Sequence, residues 1–295
     1  MNNASQTSRP VPLRRLALAL AVLGLPGAAL PGRAQNAAGK EQLVVALSAP
    51  GQPGALEVSL VSGSIHVIGY GGKTVVIDAT ARSRRGGRDE DGSDEDDGKA
   101  PPSGLRRISP SNSLRLSAEE RNNRVAVSTD SYARPVDLTI RVPQRFSLNI
   151  RTVNQGDIVV DNVTGELEVT NVNGAIALNQ VAGSAVANTV NGNLVATFRS
   201  VTAGAPMAFS TLNGKVDVTL PAATSAALKL KSEQGSIYSD FAVAVTKTAP
   251  KVTRTAKNGV YRLSTDDWTY GKINSGGPEI MLKSFNGDIY LRKGK

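Results

Sequence analysis

At 295 residues the chain has room for one large or two small domains. Aromatics are only 4% and there is no Cys, which excludes a disulfide framework, a thiolate zinc site and a cysteine nucleophile. The formal charge of +9 overstates the basicity, because the first 34 residues carry Arg9, Arg14, Arg15 and Arg33 without an acid, leaving 30 basic against 25 acidic residues.

Arg14-Arg15 closes a positive region, Leu16 to Leu25 is an apolar run too short to span a bilayer, and Pro26-Gly27 breaks it. Gly32-Arg33-Ala34 then offers small residues to a signal peptidase, so residues 1–34 read as a signal peptide cleaved after Ala34. An uncleaved anchor is the alternative. No Cys follows for lipid attachment, and no later run of about eighteen apolar residues exists, so no integral membrane segment is expected after cleavage. The expected location is outside the cytoplasm: periplasm, cell surface or secreted.

Residues 35–53 read as a linker with one strand at Leu43–Leu47. A single β-domain is expected over 54–295. It opens with period-two apolar residues at Leu56, Val58 and Leu60, then Ile65 and Val67, then Val75 and Ile77. The sole histidine, His66, alternates with Ile65 and Val67 and is expected to face solvent; one His makes no metal cluster. Residues 84–104 differ in kind. Seven acids lie in the nine residues Asp89 to Asp97, which cannot bury a core, so a disordered acidic insertion is expected. The spacing lacks the closing Glu of an EF-hand loop, and no metal or cofactor is expected. Strands resume at Leu114–Leu116, Val125–Val127, Val136–Val142 and Phe146–Ile150.

The most informative stretch is Val153 to Ala196. Gly156, Gly165, Gly174, Gly183 and Gly192 follow one another every nine residues. Each starts a phrase with apolar residues two and four positions on, such as Gly174-Ala-Ile-Ala-Leu. The phrase returns at Gly63, Gly214, Gly235 and Gly287. Asn precedes Gly174, Gly192, Gly214 and Gly287, which suits corners that need φ > 0. Asn-Gly is also a hairpin signal. Against hairpins, Asn-Gly recurs at eighteen residues, from 173 to 191, and the corners between are Thr164-Gly165 and Ala182-Gly183. Two alternating corner types predict an all-β parallel β-solenoid, a β-helix with two strands and 18–22 residues per coil. An irregular β cap is expected at its N-terminal side. The longer spacings after Gly192 and Gly214 imply extra loops on one side. After Gly235 the phrase lapses until Ile280–Leu282 and Gly287.

The Leu56–Thr80 opening, Val136–Pro143 entering Phe146–Ile150, the Val-Asn-Gly array and the closing Ser284-Phe285-Asn286-Gly287-Asp288-Ile289 resemble the bacterial putative-adhesin family of exported β-strand-repeat proteins. The resemblance covers about residues 40–295. It implies an adhesin-like exported β-helix, a domain of unknown function with no catalytic residues to carry over.

Outward positions follow from the phrase. One face would carry Val159, Ala177, Val195, Asp217, Tyr238 and Tyr290, a candidate interaction surface. Catalysis is not expected. The outward acids Asp157, Glu166, Glu168, Asp217 and Asp288 form no pair of the kind glycoside hydrolysis requires. The leading expectation is a structural or interaction protein of the cell envelope. A polysaccharide-binding or polysaccharide-degrading β-helix and an envelope regulatory partner are the alternatives. The partner is expected to be an envelope protein or a glycan, not a nucleic acid, since neither a basic helix nor a nucleic-acid motif is present.

Overall fold

The computed structural model describes residues 40–82, 116–129, 135–246, 251–257, 260–266 and 268–295. The signal segment, residues 35–39 of the linker and the acidic insertion at 84–104 lie outside the described residues.

Among the described residues all regular structure is strand. The N-terminal elements are β1 (Lys40–Ala46), β2 (Gly54–Ser62), β3 (Ile65–Tyr70), β4 (Thr74–Ala81), β5 (Leu116–Arg121) and β6 (Arg124–Thr129). The array follows as β7 (Val136–Pro143), β8 (Phe146–Asn154), β9 (Ile158–Asp161), β10 (Thr164–Asn171), β11 (Ile176–Asn191) and β12 (Leu194–Val201). Next come β13 (Met207–Asn213), β14 (Val216–Leu220), β15 (Ala226–Ser232), β16 (Ile237–Ser239) and β17 (Val243–Thr246). The chain ends with the hairpin β18 (Lys251–Lys257) and β19 (Val260–Asp266), then β20 (Thr269–Ile273), β21 (Glu279–Asn286) and β22 (Ile289–Lys293).

Period-two alternation is why these residues form strands: one set of side chains goes into a shared apolar core and the other goes out. Ile158 and Val160, Leu167 and Val169, Ile176 and Leu178, Leu194 and Ala196, Val216 and Val218, and Ile289 and Leu291 are all buried. These are the positions two and four after Gly156, Gly165, Gly174, Gly192, Gly214 and Gly287; after Gly235 they are half-buried Ile237 and exposed Ser239.

The pairing separates a stack from a meander. Strands nine residues apart do not pair. Strands eighteen apart do, in parallel and in register: Ile158 lies beside Ile176, and Ile176 beside Leu194. Two ladders result, and both halves of the long β11 take part, one half in each. One ladder runs β6–β2–β8–β10–β11–β13–β21–β15. The other runs β7–β3–β9–β11–β12–β14–β22–β16. The result is solenoid-like and built mainly of parallel strands.

Neither ladder keeps sequence order at its ends. The pair β21 and β22 lies between β13–β14 and β15–β16. At the other end, β2 and β3 lie between β6–β7 and β8–β9. Antiparallel strands close both ends: β5 on β6, with β4 on β7 and β1 on β4 at one, and β20 on β15 with β17 on β20 at the other. The N-terminal cap is therefore regular antiparallel sheet. It is held by Asn123, whose amide donates to the carbonyls of Ala49, Gln52 and Pro53. Glu120 accepts from the Ser48 hydroxyl and amide at 2.8 and 3.1 Å and from the Asn123 amide at 2.8 Å. These bonds, led by that of the Ser48 hydroxyl, hold the Glu120 carboxyl below its ordinary value of 4.5.

The corner glycines serve close approach more than positive φ. Gly63, Gly183, Gly214 and Gly287 do have φ of 124, 115, 152 and 150°. Gly174 and Gly192 do not, which corrects the expectation drawn from their Asn-Gly pairs. A Cβ on Gly192 would sit 2.1 Å from the Gly174 carbonyl oxygen, and one on Gly174 2.0 Å from that of Gly156. Backbone stacks on backbone at this corner, so no side chain fits.

Two hydrogen-bonded columns run beside these glycines. The side chains of Asn154, Asn173, Asn191, Asn213 and Asn286 form an amide chain on the surface, with bonds of 3.2, 2.8, 2.7 and 3.1 Å in that order. Inside, Thr152, Asn171, Thr189, Thr211, Ser284 and Ser232 each donate to a glycine carbonyl of the neighbouring unit, at 2.8–3.2 Å. The inner column satisfies carbonyls that the corner takes out of the ladders.

Candidate interaction face

The strands β3, β9, β11, β12, β14, β22 and β16 place their outward side chains in one column. Its order is His66, Val159, Ala177, Val195, Asp217, Tyr290, Tyr238, each residue being the cross-strand partner of the next. All six residues singled out from the sequence thus share one line, with Tyr290 between Asp217 and Tyr238 because of the inserted β21–β22 pair.

Within the column the chemistry changes along its length. Val159, Ala177 and Val195 are half-buried and flat. Asp217 is not an exposed contact, contrary to its placement among surface positions: it is 8% exposed. The Arg292 guanidinium covers it with two bonds of 2.7 and 3.2 Å, and Lys215 lies 3.5 Å away. That pairing raises the Arg292 pKa above its ordinary value. Beyond it Tyr290 and Tyr238 stack at 5.2 Å with ring planes 14° apart, and the Arg292 guanidinium lies 5.0 Å from the Tyr290 ring. The Tyr290 hydroxyl donates to Asp288 at 3.1 Å. That bond, ahead of burial, raises the phenol's pKa above 10.0 and keeps it protonated as a donor. Tyr238 is 51% exposed and lies on β16, which pairs with β22.

His66 faces outward between buried Ile65 and Val67, as its alternation implied, and also meets a carboxylate. Its Nε2 lies 2.5 Å from an Asp161 carboxylate oxygen and the side chain is 40% exposed. The outward carboxylates also have structural tasks. Asp157 accepts from the Ala175 amide at 2.7 Å, and Asp288 from the Ser236 amide at 2.8 Å. Glu168 pairs with Arg151 at 2.8 Å, and Glu166 stands exposed on the other ladder. Among the described residues no group of three or more His, Asp or Glu could hold a metal ion.

Sequence reasoning missed a cavity of about 490 Å³ at the opposite corner. The longer loops 202–206, 221–225 and 274–278 form it, and the first two are the extra residues that the wider spacings after Gly192 and Gly214 had implied. Val201, Met207, Pro221 and Ile280 line it with Thr224, whose hydroxyl is buried without a protein partner.

A stack of parallel strands with glycine corners, an Asn column and antiparallel caps defines the class to which the chain conforms. The Toastrack DUF4097 family model matches residues 137–292, more than half of the chain, so the chain belongs to that family. Among solved structures it is similar to a "putative cell adhesion protein" from Clostridium sporogenes, at 9% identity and a TM-score of 0.41, over 86% of this chain and 99% of that one. It is also similar to a "putative adhesin" from Bacteroides fragilis, at 12% identity and a TM-score of 0.34, over 86% and 97%. No curated protein matches.

Proposed function

We propose that the protein is an exported interaction module of the bacterial cell envelope, adhesin-like and without catalysis of its own. Its scaffold is a β-helix of two strands and 18–22 residues per coil, and its contact surface is the outward column ending at Tyr290 and Tyr238. The observation that carries this reading is the column itself. Six side chains from six strands share one column, Asp217 being covered by Arg292, and its far end is a stacked aromatic pair with one ring half in solvent. Aromatic rings held without rotational freedom supply contact area at low entropic cost. The roles of Asp157 and Asp288 in binding backbone amides support the non-catalytic part. The apolar run behind Arg14-Arg15 supports export to the periplasm or surface.

A photo-crosslinking residue at Tyr238, installed in cells, tests the face. A discrete adduct should form there and not at Glu57, which lies outward on the other ladder. Equal labelling at both sites, or none, would overturn the assignment. Recovery of the protein in the cytosol with Met1 still at its N-terminus would overturn export. A polysaccharide partner is the second reading, favoured by the stacked tyrosines.

A further inference from the structure

Where the other ladder meets the glycine corner it carries a line of apolar side chains. Val61, Val153, Val172, Val190, Leu212 and Phe285 are cross-strand partners in that order. Each follows a buried residue, so alternation turns it outward. Val172 is half-buried, and the other five are 37–46% exposed. Those are five of the nine large hydrophobic side chains exposed among the described residues. Neighbouring strands lie about 4.8 Å apart, so the line is about 24 Å long. Single exposed valines need no partner, but a continuous apolar line marks an interaction surface.

Polar columns flank the line on both sides. On the corner side run the surface amides of Asn154 to Asn286. Among the described residues, Asn191 and Asn213 each spend one N–H and one oxygen lone pair in that chain of amides and retain one of each. Such a column can pair with a copy of itself. The other flank lies two positions back along each strand and is cationic only near its ends. Arg151 and Lys283 stand there, with Thr170, Asn188 and Ser210 between them. The apolar line also changes along its length, from four valines to Leu212 and then Phe285.

We infer that this line is the interface of a two-fold dimer of the chain, in which two copies pack their lines antiparallel. Centred between Val172 and Val190, that arrangement sets Phe285 of one copy against Val61 of the other and Leu212 against Val153. Each large side chain then meets a small one, as a self-complementary two-fold interface requires. Arg151 faces Ser210 and Lys283 faces Ser59, so no like charges oppose, and the amide columns meet. The line with its two flanks presents roughly 18 residues, against about 20–30 a side for a specific interface. A second copy fits better than an anionic lipid surface, because the middle of the flank is uncharged and the amides call for partners that both donate and accept. The inference goes beyond the proposed column, which lies on the opposite ladder and uses none of these residues.

The test is the mass of the purified chain in sedimentation equilibrium over a dilution series. A dimer should form with a Kd of about 10 μM or tighter. Leu212→Lys and Val153→Glu should each weaken it at least about tenfold, because each sets a charge against an apolar partner. An equimolar mixture of the two variants should recover the dimer. It carries opposite charges across one contact and leaves the other contact native, and positions 153 and 212 face one another only in antiparallel docking. If either charged variant fails to fold, Leu212→Gln and Phe285→Gln carry the test, each weakening the dimer without altering the far-ultraviolet circular dichroism. Val186→Lys, exposed on the same ladder four residues before Val190, should leave the mass unchanged. Tyr238→Ser should do the same, which keeps this result separate from the column reading. A monomer at every concentration, a dimer indifferent to the variants of the line, or a mixture no more dimeric than its parts would overturn the inference. Binding to phosphatidylglycerol vesicles that Leu212→Gln abolishes would overturn it as well, by making the line a membrane contact.

Discussion

At the scale of single residues, the inner polar column explains a position that the glycine phrase did not reveal. The residue three before the glycine is Thr at 189 and 211 and Ser at 284 and 232, and each donates to a carbonyl. At 171 it is Asn. Its amide nitrogen does the same work, but its Oδ1 is buried without a protein partner. Asn171→Thr should therefore raise stability by about 1 kcal/mol, since it keeps the donor and removes an unpaired acceptor. Urea denaturation against the parent chain reads this, and lower stability would mean that the amide is needed for its second bond to Ala175. The glycines separate in the same way. Gly192→Ala would drive a methyl into the Gly174 backbone and should cost about 1–3 kcal/mol. Gly71, with nothing within 4 Å of its Cβ position, should accept Ala within about 0.5 kcal/mol, as an exposed site does. Equal effects in the same denaturation assay would refute close approach as the reason.

Glu120 supplies the pH dependence. Its folded pKa is lowered, so the stability it contributes is present above its unfolded value and is lost as pH falls through the folded one. Melting temperatures should show Glu120→Gln below the parent chain at neutral pH, with the two curves converging in acid. A constant gap across the acid range would mean that ionisation is not what the Ser48 bonds favour.

At the scale of elements, alternation was readable because a strand has only two sides. Every regular phrase from Gly156 to Gly192 put its second and fourth residues into the core. Ile176→Asp should cost the burial of an aliphatic side chain, about 2 kcal/mol, and add an unpaired buried carboxylate, so the variant should fail to fold stably. Ala177→Asp, one residue on and outward, should change stability by no more than about 0.5 kcal/mol. Similar denaturation midpoints for the two would break the assignment of faces. The sequence could not reveal the order of elements at the ends. Gly214 and Gly287 carry the same phrase as their neighbours, and nothing in Asn286-Gly287 says that it docks on Asn213-Gly214 rather than beyond Gly235. Pairing order depends on which long connection closes, and that is a property of the loops, not of the repeat. Nor did the turn Asn122-Asn123, with φ of 53 and 63°, stand out as the hairpin corner it is.

At the scale of the whole molecule, the displaced pairs change how the stack holds together. In a simple repeat array each unit touches only its neighbours, and the ends fray first. Here β2–β3 and β21–β22 are near the chain ends in sequence yet lie inside the ladders, behind later or earlier strands. The column face gains from this, because Tyr290 is held between Asp217 and Tyr238 rather than at an edge. The candidate face was legible in sequence as a set of residues. Its internal chemistry was not, because Arg292 reaches Asp217 across 75 positions of sequence.

The stacked ladders make residues eighteen apart neighbours and residues nine apart strangers. The chain has no cysteine, so introduced pairs report this without interference. Parallel neighbours at about 4.8 Å are within reach of a disulfide. Val159→Cys with Ala177→Cys should oxidise to an intramolecular disulfide in high yield, and Ala177→Cys with Glu168→Cys should remain reduced. Efficient bonding of the 168–177 pair, with none for 159–177, would replace the stacked ladders by a meander and remove the column on which the proposed function depends.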